Sequence, residues 1–337
     1  MPKIDVVVPC YNYGRFLNSC VGSVLGQSVD DLRILIIDDA STDDSLAVAT
    51  ALAGADPRVS VIAHPRNKGH IKTYNEGIAW ASADYFLLLS ADDLLVPGAL
   101  ERAVEIMDEH PDVVLTHGEC IPWYDDQPLP AIPTKPGYTW TRHDLLGEIC
   151  ATASNLVPTP TAIGRTSVQK TLGGYRDSLP HSGDMEMWLR FAASGSIARI
   201  DAVQGIYRKH AHAMSNTYFA TLVSDYTQRQ QAFDSFFDEY ADLLTNSRAL
   251  RALATRTMAR QGFRCGIGLI RRGYVSDGRQ LVRAAVDDVL RHFFRAWRPA
   301  ARRNSPPHAE PPAPRLPELT GAIAGAEARH CNHRHEL

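Results

Sequence analysis

Short apolar runs alternate with helix-period segments through the first 118 residues. Ile4–Val8 is a β-branched run closed by Pro9, and Phe16–Leu25 carries apolar residues three and four apart before Gly26. Ile34–Ile37 is a second buried run that ends in Asp38-Asp39. Ser41-Thr42-Asp43-Asp44 offers N-cap oxygens for a helix to about Ala53. Val59–Ala63 reads as a third strand, Ile71–Ala81 as a helix, and Tyr85–Leu89 as a fourth strand that ends at Ser90-Ala91-Asp92-Asp93. Pro97 suits a first helical turn, which predicts a helix to about His110, and Val113–Thr116 is a fifth strand. Continuous apolar strands separated by helices predict an α/β fold. Its mostly parallel, Rossmann-like sheet has helices on both faces. Such sheets bind ligands at the carboxyl ends of their strands.

The pattern changes beyond residue 118. Residues 122–136 hold five prolines and predict a loop. A mixed region follows to about Ser215, with a helix near Asp184–Ala193 and strands near Ile197–Ile200 and Gln204–Tyr207. Residues 218–300 read as mostly helical, and 301–337, rich in Pro, Ala, His and charge, as a disordered tail. Four segments are therefore expected: 1–118, 119–217, 218–300 and 301–337.

Composition narrows the class. The chain has 337 residues, 45% hydrophobic and 22% charged, which excludes wholesale disorder and a polytopic membrane protein. No stretch reaches the roughly 18 uncharged apolar residues of a membrane span. Lys3 and Asp5 flank a short apolar run, so no signal peptide is visible. Six cysteines lie scattered without metal-like spacing and read as free thiols, which predicts a cytoplasmic protein. The net charge of −3 hides an asymmetry: residues 248–303 hold fourteen Arg and no Lys against three acids. An acidic body is joined to a basic segment, and the two are expected to have different partners.

Three acidic clusters fall at strand ends or a helix start: Asp38-Asp39, Asp92-Asp93, and Asp184 with Glu186. A single such Asp is often only a helix cap. Adjacent acids after two different strands repel one another and call for a cation or a donor-rich ligand. A divalent metal, Mn²⁺ or Mg²⁺, held by one or two carboxylates and substrate phosphates meets that need. Asp93, aided by Asp92, is the candidate ligand. The metal would neutralise a leaving diphosphate. Asp39 offers a strong acceptor to a nucleobase imide N–H, and Tyr11 a ring to stack on the base.

Six motifs, in order, resemble glycosyltransferase family 2. They are Val6-Val7-Val8-Pro9-Cys10-Tyr11-Asn12; Ile36-Ile37-Asp38-Asp39-Ala40-Ser41-Thr42-Asp43; Asn67-Lys68-Gly69 with Asn75-Glu76-Gly77; Ser90-Ala91-Asp92-Asp93; Gly183-Asp184-Met185-Glu186-Met187-Trp188-Leu189-Arg190; and Tyr207-Arg208-Lys209-His210. The resemblance covers about residues 3–215 and implies a GT-A fold, a nucleotide-diphosphate sugar donor and inversion at the anomeric carbon. It implies that Pro9, Tyr11 and Asp39 hold the nucleoside, Asp92 faces the ribose or diphosphate, Asp93 binds the metal, and Asp184 is the catalytic base. Segment 1–118 would then bind the nucleotide sugar, and 119–217 the acceptor. The later acidic motif here begins Gly183-Asp184 where the family usually has Glu-Asp, and the metal motif is Ala91-Asp92-Asp93 rather than Asp-x-Asp.

Other residues carry two readings each. Glu186 binds the acceptor or faces solvent. Arg208 and His210 bind the diphosphate, with His210 completing the metal shell, or form a solvated basic turn. Lys72 reaches the base or phosphates, or is an exposed helical lysine. Trp188, Met185 and Met187 read as core.

Within 279–298, Val282, Val286, Val289, Phe293 and Trp297 form an apolar stripe flanked by arginines. That helix either lies on an anionic membrane surface or packs on the core. No nucleic-acid motif accompanies the arginines. The sequence thus predicts a metal-assisted inverting glycosyltransferase, UDP-sugar favoured, acting on a glycan or lipid-linked acceptor in polysaccharide or cell-envelope glycan synthesis. It would be cytoplasmic and peripheral on the cytoplasmic membrane face. The alternatives are a catalytically inactive nucleotide-sugar-binding scaffold at the membrane and a nucleotidyltransferase. The latter lacks its Gly-rich basic loop after strand one. A dehydrogenase is disfavoured because no GxGxxG follows that strand.

Overall fold

The computed structural model of the chain describes residues 3–132, 137–214 and 222–297, with the side chains of the last helix described through Arg291. The tail expected to be disordered, 301–337, lies outside the described residues, as do residues 133–136 of the proline-rich segment. So do the side chains of Phe293, Arg295 and Trp297.

The amino-terminal elements are β1 (Ile4–Cys10), α1 (Gly14–Leu25), β2 (Leu32–Asp38), α2 (Ser45–Ala55), β3 (Val59–Ala63), α3 (His70–Trp80), β4 (Tyr85–Leu88), β5 (Leu94–Leu95), α4 (Ala99–Glu109) and β6 (Val113–Tyr124). Then come β7 (Trp140–Arg142), α5 (Leu145–Thr152), a 3-10 turn at Thr159–Thr161, β8 (Ile163–Arg165), α6 (Thr166–Leu172), α7 (Gly183–Ala192) and β9 (Ser196–Lys209). The remaining described helices are α8 (Leu222–Tyr240), α9 (Ser247–Arg271) and α10 (Val275–Trp297).

The strands form one sheet in the order β3-β2-β1-β4-β8-β6-β9-β5, with β7 paired to β9. β3, β2, β1 and β4 are mutually parallel, and β6 is parallel to β9. β8 runs antiparallel between β4 and β6. Along β1, Ile4, Val6 and Val8 pack into one core and Val7 into the other. Alternation on a strand buried on both faces requires apolar side chains at nearly every position, which is why these runs look unbroken in sequence. Gly77 lets α3 lie close on β1: a Cβ there would sit 2.4 Å from Val7 Cγ1.

Several expectations shift. The two strands read at 197–200 and 204–207 are one continuous strand, β9. β6 runs eight residues past Thr116 and takes Pro122 into its pairing with Tyr207, so the predicted loop starts later. α4 begins at Ala99 after a left-handed Gly98, leaving Pro97 outside the first turn. β5, β7 and β8 have two or three residues each, too few to show a period.

Candidate active site

The carboxyl ends of β1, β2 and β4 open on a cavity of about 1060 Å³. That lies at the upper end of the roughly 300–1,000 Å³ usual for small-molecule sites. Asp39, Asp92, Asp93 and Asp184 all line it. Side chains more than 140 positions apart in the chain therefore share one cleft.

The first wall is built by the turns after β1 and β2. Asn12 and Ala40 both hold positive φ, 58° and 61°. A non-glycine residue there costs of order 1–2 kcal/mol, and the turns must be held from outside. Asn12 supplies that hold: its Oδ1 accepts from Thr42 N at 2.7 Å, and its N–H donates to Ser41 Oγ at 2.9 Å. Asp39 is buried between these turns and α3. It accepts from Lys68 N (2.7 Å) and Gly69 N (2.9 Å), and pairs with His64 Nδ1 (2.7 Å). Gly69, at φ 86°, takes the backbone turn that brings both N–H groups to one carboxylate. Burial alone would raise the Asp39 pKa, but His64 and the two N–H groups outweigh it and hold the group below the ordinary value. An ionised acceptor with three partners keeps one lone-pair direction toward the cleft. Pro9 and the half-exposed Tyr11 line the same wall.

His64 had no role assigned from the sequence, although it stands directly after β3 as the acids stand after β2 and β4. Its Nε2 meets Glu76 at 3.0 Å, and Lys68 Nζ meets the same oxygen at 2.8 Å. Asn75 exchanges two hydrogen bonds with the Tyr175 backbone, at 2.7 and 2.9 Å. The Asn75-Glu76-Gly77 motif therefore braces α3 against β1, the end of β3 and the loop between α6 and α7. Lys72, by contrast, is exposed on α3 and is not among the cleft-lining residues.

Asp92 and Asp93 are both buried in the turn after β4. Burial, and then the neighbouring Asp92 charge, push the Asp93 carboxyl well above the ordinary range. One Asp93 oxygen accepts from the Arg208 backbone N–H at 2.9 Å. A buried Asp93 carboxylate destabilised by the charge next to it fits a hard divalent cation. Among the described residues, no group of three or more His, Cys, Asp or Glu side chains could hold a metal alone. The donor set suits an ion that completes its shell with phosphate oxygens and water.

Arg208, at the end of β9, and His210, just after it, are not among the cleft-lining residues, whereas His212 is. Arg208 is buried, donating to Asp92 O (2.8 Å), Asp125 (3.1 Å) and Ser19 Oγ (3.1 Å), and its guanidinium lies between the rings of Phe16 and Trp123. This corrects the expectation that it reaches a diphosphate: its fork is already committed to holding the acidic turn. His210 meets Asp92 Oδ2 at 3.1 Å and packs on Tyr13 and Phe16, so it braces the same turn from behind. Arg15, by contrast, lines the cleft.

Asp184 stands at the start of α7, across the cleft. Its Oδ2 accepts from Asn155 Nδ2 (2.7 Å) and Thr159 Oγ1 (3.3 Å), and its Oδ1 from Met185 N (2.7 Å). Burial dominates and raises its pKa, and the hydrogen bonds only partly offset that. A carboxylate fixed in orientation and made more basic is suited to accept a proton. Asn155 and Thr159 were missed because they lie in a short irregular stretch without period; the two prolines around Thr159 were the only signal.

Glu186, two residues on, is fully buried and bound by Arg190 (3.0 Å) and Arg176 (2.9 Å). Arg190 also caps the carbonyls of Leu172 and Gly174. Both sequence readings of Glu186 therefore fail: it neither contacts the cleft nor faces solvent. Two residues along a helix turn a side chain by about 200°, so it points into the core. Trp188, Met185 and Met187 are core, as expected.

A parallel sheet whose strand-end acids face a carboxylate on a helix across one cleft defines a GT-A-type protein. Solved structures agree on the fold. The structure aligns with S. aureus TarS 1-349 in complex with UDP-GlcNAc at TM-score 0.57 and 17% identity, covering 85% of this chain and 92% of that one. It also aligns with the mannosyltransferase PcManGT from Pyrobaculum calidifontis in complex with GDP-Man and Mn²⁺ at TM-score 0.51 and 15% identity, covering 86% and 87%. Residues 5–150 match the Glycosyl transferase family 2 model, which marks that segment as a family 2 glycosyltransferase region. A Haemophilus influenzae protein described as an uncharacterized glycosyltransferase is 25% identical over 224 residues, which span 64% of this chain and 68% of that protein.

Proposed function

We propose that the protein transfers a sugar from a nucleotide-diphosphate donor, preferentially a UDP-sugar, to an acceptor hydroxyl with inversion. The observation that carries this reading is the convergence of Asp39, Asp92, Asp93 and Asp184 on one cleft. Asp39, held ionised by His64, accepts a hydrogen bond from the imide N–H of a pyrimidine, with Pro9 and Tyr11 beside the base. Asp92 faces the ribose or diphosphate. Asp93 holds a divalent ion, Mn²⁺ or Mg²⁺, which when bound offsets the charge of the leaving diphosphate. Asp184, with Oδ2 oriented by Asn155 and Thr159, takes the proton of the acceptor hydroxyl as it attacks the anomeric carbon from the face opposite the diphosphate. No covalent enzyme intermediate is needed. The mannosyltransferase neighbour's complex with GDP-Man and Mn²⁺ supports a metal and a nucleotide sugar in such a cleft.

The acceptor in this reading is a glycan or lipid-linked hydroxyl, in polysaccharide or cell-envelope glycan synthesis, that enters the part of the cleft lined by Asp184, Asn155 and Thr159. Segments 1–118 and 119–217 divide the work as donor and acceptor halves. The test is calorimetric titration of the full chain with UDP, with and without Mn²⁺, followed by a panel of nucleotide sugars assayed for release of the nucleotide diphosphate. Metal-dependent binding that is lost in Asp93→Ala, together with sugar release, is expected. Unchanged affinity in that variant would overturn the metal assignment, and binding without sugar release or transfer would favour a non-catalytic scaffold.

A further inference from the structure

The carboxy-terminal hairpin of α9 and α10 carries a surface that the catalytic reading does not use. Its inner faces pack closely. A Cβ on Gly262 would lie 2.8 Å from Ala285 Cβ, and one on Gly278 would lie 2.5 Å from Gly266 O. Small residues thus bring the two backbones together at these positions, while several large side chains stay on the outer face. Phe263, Ile267, Ile270 and Tyr274 follow at spacings of four, three and four, which is one stripe along α9 and its end. They are 36%, 44%, 36% and 61% exposed. Val275, Val286, Val289 and Leu290 continue the apolar surface on α10. Eight of the fifteen exposed large hydrophobics among the described residues therefore fall between 263 and 290. Such clustering marks a contact surface rather than scattered exposure.

Charge identifies the partner. Arg260, Arg264 and Arg271 run beside the α9 stripe, and Arg272, Arg279 and Arg283 surround the turn. Among the described residues, Arg283 alone of these six makes an ion pair, a long one of 3.9 Å to Asp287. Arg251, further from the turn, is instead paired with Asp234 and Asp238 of α8. Arg248 and Arg256 also make no ion pair among the described residues, so cations without an ion pair run the length of α9 and flank its exposed apolar stripe. A second copy of this face would bring arginine against arginine. Nucleic acid would leave Ile267, Ile270 and the valines in water.

We infer that the α9–α10 hairpin docks on an anionic phospholipid surface, its apolar stripe entering the headgroup boundary and its arginines meeting lipid phosphates. No helix among the described residues is long and apolar enough to cross a membrane, so the contact is interfacial. The surface extends the membrane expectation from 279–298 back to α9 and the turn, and it stands whether or not the cleft transfers a sugar.

Flotation of the full chain with vesicles of phosphatidylcholine alone, and of phosphatidylcholine mixed with phosphatidylglycerol, tests it. Preferential binding to the mixed vesicles is expected. The triple substitution R264Q/R271Q/R272Q should weaken that binding by about 10²-fold, at roughly tenfold or somewhat less for each cation removed. I267S/I270S should weaken it at least about tenfold, since both side chains would lose the apolar area they bury on insertion. UDP binding by both variants should match the parent, which separates docking from the cleft and reports folding. Equal binding to both vesicle types, no binding to either, or I267S/I270S binding as the parent does would each overturn the proposal. Tighter binding to duplex DNA than to the mixed vesicles would overturn it in favour of a nucleic-acid surface.

Discussion

The cleft and the helical hairpin treat charge in opposite ways. In the cleft, acids point inward and each is held by named donors: Asp39 by two backbone N–H groups and His64, Asp184 by Asn155, Thr159 and Met185 N–H. In the hairpin, arginines point outward beside exposed apolar side chains, and most lack an ion-pair partner among the described residues. Buried charge must be positioned, because desolvation costs several kcal/mol per ion unless hydrogen bonds replace water. Exposed charge needs no partner and is informative only where it clusters with apolar surface. The first arrangement is built for chemistry on a small ligand, the second for contact with an extended surface.

The contrast is sharpened most by Asp184. Asp184→Asn is expected to lower turnover by about 10²–10⁴-fold while leaving donor affinity unchanged. Steady-state kinetics beside calorimetry would read both, and a near-normal rate would exclude it as base. Its pH dependence has a definite sign. Because burial raises its pKa, the ionised, proton-accepting form is lost as pH falls through a value above the ordinary aspartate range, so the acid limb of kcat should lie above that range. The same shift means the folded state prefers the protonated carboxyl, so the Asn variant should melt no lower than the parent at neutral pH.

Glu186 tests the boundary between cleft and core. Glu186→Ala leaves Arg190 buried without its partner and is expected to cost about 3–5 kcal/mol in denaturant unfolding. The folded fraction should still bind nucleotide; a variant as stable as the parent that loses acceptor affinity would return Glu186 to the site. A smaller effect is expected at His64. His64→Ala removes one of three partners of Asp39 and should weaken nucleotide binding about tenfold, the scale of one charge-assisted hydrogen bond. The smallest falls at Lys72. Lys72→Ala should change affinity and rate less than about twofold, as expected of an exposed helical side chain away from the cleft.

How much of this was legible depends on the length of each pattern. β1, β2 and β4 were readable because a strand buried on both faces must be apolar throughout, and the acids at their ends were readable because a parallel sheet collects strand ends. Asp39, Asp92, Asp93 and Asp184 do line one cleft. The basic motif at the end of β9 was legible as a motif but not in its direction. Arg208 and His210 turn toward the back of the acidic turn, a consequence of β9 pairing with β6 and β5 and of the aromatic slot between Phe16 and Trp123. Glu186 looked like a partner of Asp184 because the two are neighbours in sequence, yet a helix sends them to different sides.

By itself the sequence determined the layered α/β architecture, the acidic strand ends, the family-like order of motifs and the basic character of the last helices. Those are properties of periodicity and composition, which act locally along the chain. Only the tertiary structure decided which charged side chains face the cleft and which are spent inside the fold, and that His64 holds Asp39 while Asn155 and Thr159 hold Asp184. It alone decided that α9 shares its apolar face with α10. These outcomes depend on contacts between residues tens to more than a hundred positions apart, which no local pattern encodes.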